Sequence, residues 1–240
     1  MKKAGFVALI GEPNAGKSTL LNHFVGSKVS IVTHKVQTTR TRIRGIVIVD
    51  NAQIVFVDTP GLFKPRRRLD RAMVAAAWGG AADADVIVLL IEAHRGLTEG
   101  VERIIGDLSN SNKNRPVVLA INKIDRETAN PDKIKEQLSN INILLEDWGG
   151  KFQSQEISAK TGQGINELLE KVLLEAELLD LKSNPNKNAI GTVIEASLDK
   201  GKGYLTTILV EAGTLRVGDY VLAGCYSGKV KALLDERDAK

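Results

Sequence analysis

The run GEPNAGKS at residues 11–18 sets Gly11 and Gly16 ahead of Lys17 and Ser18. Backbone N–H groups can close around phosphate oxygens only where side chains stay clear, and glycine supplies that clearance. Beside such a loop Lys17 reaches the β- and γ-phosphates and the Ser18 hydroxyl ligates Mg²⁺. Asn14, Ala15, Gly16 and Thr19 complete the expected phosphate-binding set. A helix starting at this point aims its positive end at the same anion.

Further short motifs follow in order. DTPG at residues 58–61 offers Asp58 to the Mg²⁺ shell, commonly through water, with Thr59 beside it, and the Gly61 N–H to a γ-phosphate. NKID at residues 122–125 offers the Asp125 carboxylate to the N1–H and exocyclic amine of guanine. Adenine has no such pair of donors and would leave that carboxylate unpaired, so a site of this kind discriminates strongly. Asn122 would contact the base and hold the loop, and the Lys123 stem would cover the ring. SAK at residues 158–160 (Ser158, Ala159, Lys160) would present its backbone to the guanine O6. Each of these later motifs is weak alone. Together, in this order, they specify a guanine nucleotide, GTP or GDP, with Mg²⁺.

The elements that must position these residues alternate. Residues 5–10 form a short apolar run ahead of the glycine loop. Leu20, Leu21, Phe24 and Val25 then recur at helical spacing. Residues 29–42 are polar and lack a period, so they read as a loop. Residues 43–49 and 54–57 are β-branched runs parted by Asp50 and Asn51, which predicts a hairpin. Residues 59–69 read as a loop. Residues 86–91 and 117–121 read as strands buried on both faces, and residues 152–157 as a sixth strand. Two helical patterns are Ile134, Leu138, Ile141, Leu145 and Ile165, Leu168, Leu169, Val172. This alternation predicts an open, mostly parallel α/β sheet, and every motif falls at the carboxyl end of a strand, where such sheets bind ligands.

The pattern changes near Leu181. KSNPNKN at residues 182–188 reads as a linker. Beyond it, residues 190–196, 204–210, 220–223 and 229–233 are short strand candidates punctuated by glycines. The expected organisation is therefore 1–181, a linker at 182–188, and a β domain at 189–240.

Composition bounds the reading. Of the 240 residues, 43% are hydrophobic and 26% charged, which fits a soluble globular chain. No apolar run approaches the ~18 residues of a membrane span. The apolar stretch near the amino terminus is shorter than the ~7–15 residues of a secretory signal and reads as a strand. The single cysteine, Cys225, rules out an internal disulfide and points to a reducing, cytoplasmic setting. A formal charge of +4 is too small to argue for nucleic acid by itself.

From the amino terminus to about Asp125 the chain resembles the G domain of Era-type GTPases, which act in small ribosomal subunit assembly. GFVALIGEPNAGKSTLLN, KVSIVTHKVQTTRTRIRGI, IVFVDTPGLFKPRRRLDRAM and RGLTEG carry that resemblance. From about Glu127 the chain resembles bacterial translation initiation factor two. TANPDKIKEQL, WGGKFQSQEISAKTGQGINELLEKVLLEAELLDLKSNPN and GTVIEASLDKGKGYLTTILVEAGTLRVGDYVLAG carry this one. The two meet at INKID, and a hybrid joined there is the simplest account. The resemblance implies a Ras-like P-loop GTPase domain followed by a partial translation-factor β-barrel, hydrolysing GTP and associated with a ribosomal subunit or rRNA. It implies that Thr39 is the switch I ligand of Mg²⁺ and the γ-phosphate, with Thr38 as the alternative, and that Asn14 accompanies a bound K⁺. Lys17, Thr39 and Gly61 would then act on the reacting phosphate.

Leu62 stands where initiation factors carry a water-positioning histidine, so slow hydrolysis is expected, and a binding module that does not hydrolyse is the rival reading. A ribosome-binding protein dominated by RNA contacts is a third, though nothing here resembles the RNA-binding module of Era. His23 and His94 read as surface or helix-end residues, and His34 lies in the switch segment. Arg66, Arg67 and Arg68 read as a solvated loop face or an rRNA phosphate contact. Trp78 and Trp148 read as packing residues, and Cys225 as a small apolar filler.

Overall fold

The computed structural model describes residues 3–28, 30, 32, 43–49, 52–65, 67–111, 115–179, 181, 184–199, 201 and 203–234. His34, Thr38, Thr39 and Arg66 lie outside them. The chain divides into two compact units, Met1–Leu181 and Lys182–Lys240.

The first unit is a six-stranded sheet flanked by helices. In chain order its elements are β1 (Lys3–Gly11), α1 (Lys17–Val25), β2 (Ile43–Val49), β3 (Ala52–Asp58), α2 (Arg68–Asp83), β4 (Val86–Glu92), α3 (Glu99–Ser109), β5 (Val117–Asn122), α4 (Pro131–Asn140), β6 (Ser154–Ile157) and α5 (Ile165–Leu178). The spatial strand order is β2-β3-β1-β4-β5-β6. β2 and β3 pair antiparallel as the hairpin the sequence predicts, and the other pairings are parallel.

Strand alternation divides the core into two layers. Val7 and Leu9 of β1, Val86, Val88 and Leu90 of β4, and Val118 and Ala120 of β5 face α1 and α5. Ala8 and Ile10, Ile87, Leu89 and Ile91, and Leu119 and Ile121 face α2, α3 and α4. All are buried. A strand apolar at consecutive positions therefore serves two opposite helix layers, which is why these segments lack polar alternation.

Two local readings in this unit are corrected. The helix carrying Ile134 and Leu138 ends at Asn140. Asn142 takes a left-handed conformation (φ 63°) and its N–H bonds to the Ser139 carbonyl, which halts the helix. Leu145 still reaches the core, but from an extended segment bridged to Phe152. Trp148 is 47% exposed rather than packed, whereas Trp78 packs against the core as expected.

The second unit contains β7 (Ile190–Asp199), β8 (Gly203–Ala212), β9 (Tyr220–Ala223) and β10 (Tyr226–Lys229). They form two separate antiparallel pairs, β7 with β8 and β9 with β10. The last strand therefore falls at residues 226–229 rather than 229–233. Gly224 and Cys225 form the tight turn, with Gly224 at φ 63°, and that turn sets Tyr226 opposite Ala223. Cys225 is exposed there, so it is not a core filler. Residues ahead of β7 are tied into this unit, because Thr214 donates to the Lys187 and Pro185 carbonyls. Among the described residues no helix is long and apolar enough to cross a membrane.

Candidate functional site

The motif residues gather at the carboxyl edge of the sheet. Gly11 ends β1, Asp58 ends β3, Asn122 ends β5, and Ser158 follows β6. β1 lies between β3 and β4, so the chain leaves it at the point where strand order reverses, the position where open sheets form a ligand crevice.

Asn122 joins three loops. Its Nδ2 donates to the Ala15 carbonyl at 2.7 Å, in the phosphate-type loop. Its Oδ1 accepts from the Lys123 N–H at 2.8 Å and from the Ala159 N–H at 3.0 Å. The side chain is buried, so each of these bonds forms in a medium where an unmade one is costly. Asn122 thus holds the loops together through one of its two amide donors and its carbonyl oxygen. Gly16 is required beneath it. Its φ of 102° disfavours other residues, and a Cβ there would sit 2.2 Å from the Asn122 Nδ2.

The phosphate side is built around Lys17. Its ammonium donates to the Gly11 and Glu12 carbonyls at 3.2 and 2.9 Å. Burial lowers its pKa to about 8, against the opposing pull of Asp58, Glu92 and Glu12. Ser18 Oγ donates to Asp58 Oδ2 at 2.6 Å, and the Ser30 hydroxyl donates to the same oxygen at 2.9 Å. A hydroxyl and a carboxylate brought together in this way are a hard-oxygen pair suited to Mg²⁺, which typically takes one or two carboxylates plus substrate phosphates.

Thr59 donates its hydroxyl proton to the Leu9 carbonyl at 2.7 Å, which ties the end of β3 to β1. Gly61 lies against the phosphate-type loop, where a Cβ would come within 2.7 Å of Pro13 Cα. The next residue, Leu62, donates its N–H to the Gly11 carbonyl at 3.0 Å and buries its side chain in the core. It has neither the chemistry nor the position to orient water. Asn14 is exposed at φ 64°, and among the described residues its side chain has no hydrogen-bond partner.

On the base side Ser158 Oγ donates to Asp125 Oδ1 at 2.7 Å. That bond, aided by the charges of Lys160 and Arg126, holds the Asp125 carboxyl below its ordinary pKa and keeps it an acceptor. Lys123, in a left-handed conformation at φ 68°, turns its ammonium to the carboxylate of Glu92 at the end of β4.

Sequence reasoning missed Ser30, Glu12 and Glu92. Glu12 sits inside the glycine loop at a position whose side chain the motif leaves open, while Ser30 and Glu92 become site neighbours only through the fold. His23 is exposed in the last turn of α1, and His94 lies partly buried beside Glu92 and Arg126. Arg67 and Arg68 are exposed.

Residues 6–123 match the family described as 50S ribosome-binding GTPase, and residues 188–240 match elongation factor G domain 2. The chain is 46% identical over 235 residues to translation initiation factor IF-2 of Flavobacterium psychrophilum, covering 98% of this chain and 23% of that protein. It is 47% identical over 235 residues to the same factor of Flavobacterium johnsoniae, covering 98% and 24%. The chain thus spans about a quarter of the length of these relatives, and the likeness extends across both units. Among solved structures, Era in complex with MgGDPNP and part of 16S ribosomal RNA superposes with a TM-score of 0.66 at 34% identity, over 78% of this chain and 60% of that one. The bacterial selenocysteine-specific elongation factor EF-Sec, at 17% identity, shares the fold over 96% of this chain and 38% of its own, with a TM-score of 0.66. The chain therefore joins a G domain of the P-loop GTPase fold to a β-rich unit like the second domain of translation factors.

Proposed function

We propose that this chain binds GTP and GDP with Mg²⁺ and hydrolyses GTP slowly, as a factor of the ribosome-assembly and translation class. The observation that carries this reading is the Asn122 side chain, which locks the phosphate loop, the NKID loop and the SAK loop into one site. Lys17, the Gly61 N–H and Thr39 (or Thr38) would stabilise the phosphoryl group. Gly11, Asn14, Ala15, Gly16, Ser18 and Thr19 would cradle the phosphates, and Asp58 with Thr59 would border the metal. Lys123, Asp125, Ser158, Ala159 and Lys160 would hold guanine. Ser18, Asp58 and the switch threonine would hold Mg²⁺, which supplies charge neutralisation between the phosphates. Residues 182–188 would link this domain to a partial barrel at 189–240.

The test is a titration with GTP, GDP and ATP. Tight binding of both guanine nucleotides with no measurable ATP binding is expected, and equal binding of ATP refutes the assignment. Asp125→Asn should exchange GTP preference for xanthine nucleotides, with circular dichroism confirming the fold.

A second reading, a nucleotide switch that does not turn over, is favoured by the burial of Leu62. Single-turnover hydrolysis separates the two. The first reading expects a rate on the order of 10⁻⁴ to 10⁻² s⁻¹, as in GTPases without an arginine supplied by a partner. Asn14, with its unbonded side chain, would take K⁺ beside the phosphates together with switch carbonyls. Hydrolysis should then run faster in K⁺ than in Na⁺ at equal ionic strength, and Asn14→Ala should abolish the difference. The IF-2 relatives and the Era–rRNA complex point to a ribosomal subunit as partner, which co-sedimentation with isolated subunits would test.

A further inference from the structure

The nucleotide reading gives Glu92 no part, yet this residue is nearly buried, 6% exposed, at the edge where the motifs meet. A buried carboxylate is costly unless paired. Its partner is Lys123 of the NKID loop, whose ammonium meets Glu92 Oε2. His94 Nε2 lies 3.7 Å from the same oxygen. The other oxygen faces Arg95, whose Nη1 is 3.4 Å away and also stands 3.6 Å from Glu12 Oε2 in the phosphate loop. Glu12 is steadied in turn by the Thr98 hydroxyl at 2.9 Å, at the start of α3. Arg95 thereby occupies one face of Glu92 and leaves the other to Lys123.

Lys123 is consequently fixed at both ends. Its backbone is held at φ 68° with its N–H on Asn122 Oδ1, and its ammonium is held on Glu92. A free lysine has large rotamer freedom, and ordering it when a ligand arrives weakens binding. Here folding has already ordered it.

We propose that Glu92 is a positioning residue for the base side of the site. It holds Lys123 with its aliphatic stem in place before a purine binds, and so slows nucleotide release. This rests on the guanine-nucleotide reading above. Arg95 orients Glu92 and has a smaller effect. A Glu92 that served stability alone would affect base-containing and base-free ligands alike.

The experiment compares GDP with inorganic tripolyphosphate, which has phosphates and no base, on the whole chain. Glu92→Gln should weaken GDP about tenfold, mainly through faster dissociation, and leave tripolyphosphate within about twofold of wild type. In a Lys123→Met background, Glu92→Gln should add no further loss, because both changes remove one contact. Unchanged GDP release in Glu92→Gln, additive losses, or an equal loss for tripolyphosphate would each overturn the proposal. Should Glu92→Gln fail to fold, Lys123→Arg and Lys123→Met decide it. Arginine keeps the ion pair and should retain GDP within about threefold, while methionine keeps only the stem and should lose about tenfold. Equal behaviour of those two variants refutes the idea. Wild-type protein that binds tripolyphosphate but not GDP would instead remove the guanine reading, a result distinct from any variant outcome.

Discussion

The two units are built from similar apolar strands and meet opposite fates. In Met1–Leu181 the central strands are covered on both faces, and Leu9, Leu89, Leu90 and Ile121 are completely buried. Among the residues of Lys182–Lys240 whose side-chain exposure is described none is buried, and Tyr204, Tyr220, Leu222 and Tyr226 are each more than three-quarters exposed. The difference lies in layering rather than composition. A strand gains stability from burial only when a second layer covers it, and two separate two-stranded pairs cover little. The site belongs to the covered unit because polar loops such as that of Asn122 need a rigid, dry base.

The comparison would break first on hydrogen exchange. Amides of β1, β4 and β5 should exchange only through global opening, while those of β7 to β10 should exchange on the order of a thousandfold faster. Equal protection of the two sets in a monomer would mean that the second unit has a core of its own. Self-association through its open edges is the alternative route to protection, and sedimentation detects it.

Side-chain truncation sharpens the same contrast. Leu89→Ala should cost about 3 kcal/mol in chemical denaturation, from lost transfer energy plus a cavity. Tyr204→Ala, at an 88% exposed position, should cost less than about 0.5 kcal/mol. Lys17→Ala should weaken GTP binding by about 2 kcal/mol through loss of a charge-assisted contact. Lys229→Ala, an exposed lysine of the second unit, should leave it unchanged by calorimetry.

The pH dependence concerns a single group, Lys17. Burial lowers the Lys17 pKa to about 8 from the ordinary 10.5, so between those values the unfolded chain binds more protons than the folded one. This group's contribution to stability should therefore rise as pH climbs through that window, and the full burial cost should persist below it. Phosphate beside the ammonium restores the charge, so GTP binding near pH 9 should take up a proton. Calorimetry in buffers of different ionisation enthalpy measures that uptake, and Lys17→Ala should abolish it.

The motif residues themselves were legible in the sequence. GEPNAGKS, DTPG, NKID and SAK announce their chemistry by residue type, and the uninterrupted apolar runs at 86–91 and 117–121 announce strands covered on two faces. The hairpin of β2 and β3 was legible from the Asp50-Asn51 break. These features depend on local order along the chain, where spacing carries the physics. The end of α4 was not legible, because Leu145 keeps helical spacing while Asn142 breaks the helix. Nor was the position of β10, which is set by the turn at Gly224 rather than by the apolar run after it. The engagement of Asn122 with three loops, the Ser30 contact to Asp58, and the placement of Glu92 beneath Lys123 were decided only by tertiary structure. Their partners are far apart in sequence, and sheet order alone brings the ends of β1, β3, β4, β5 and β6 to one edge.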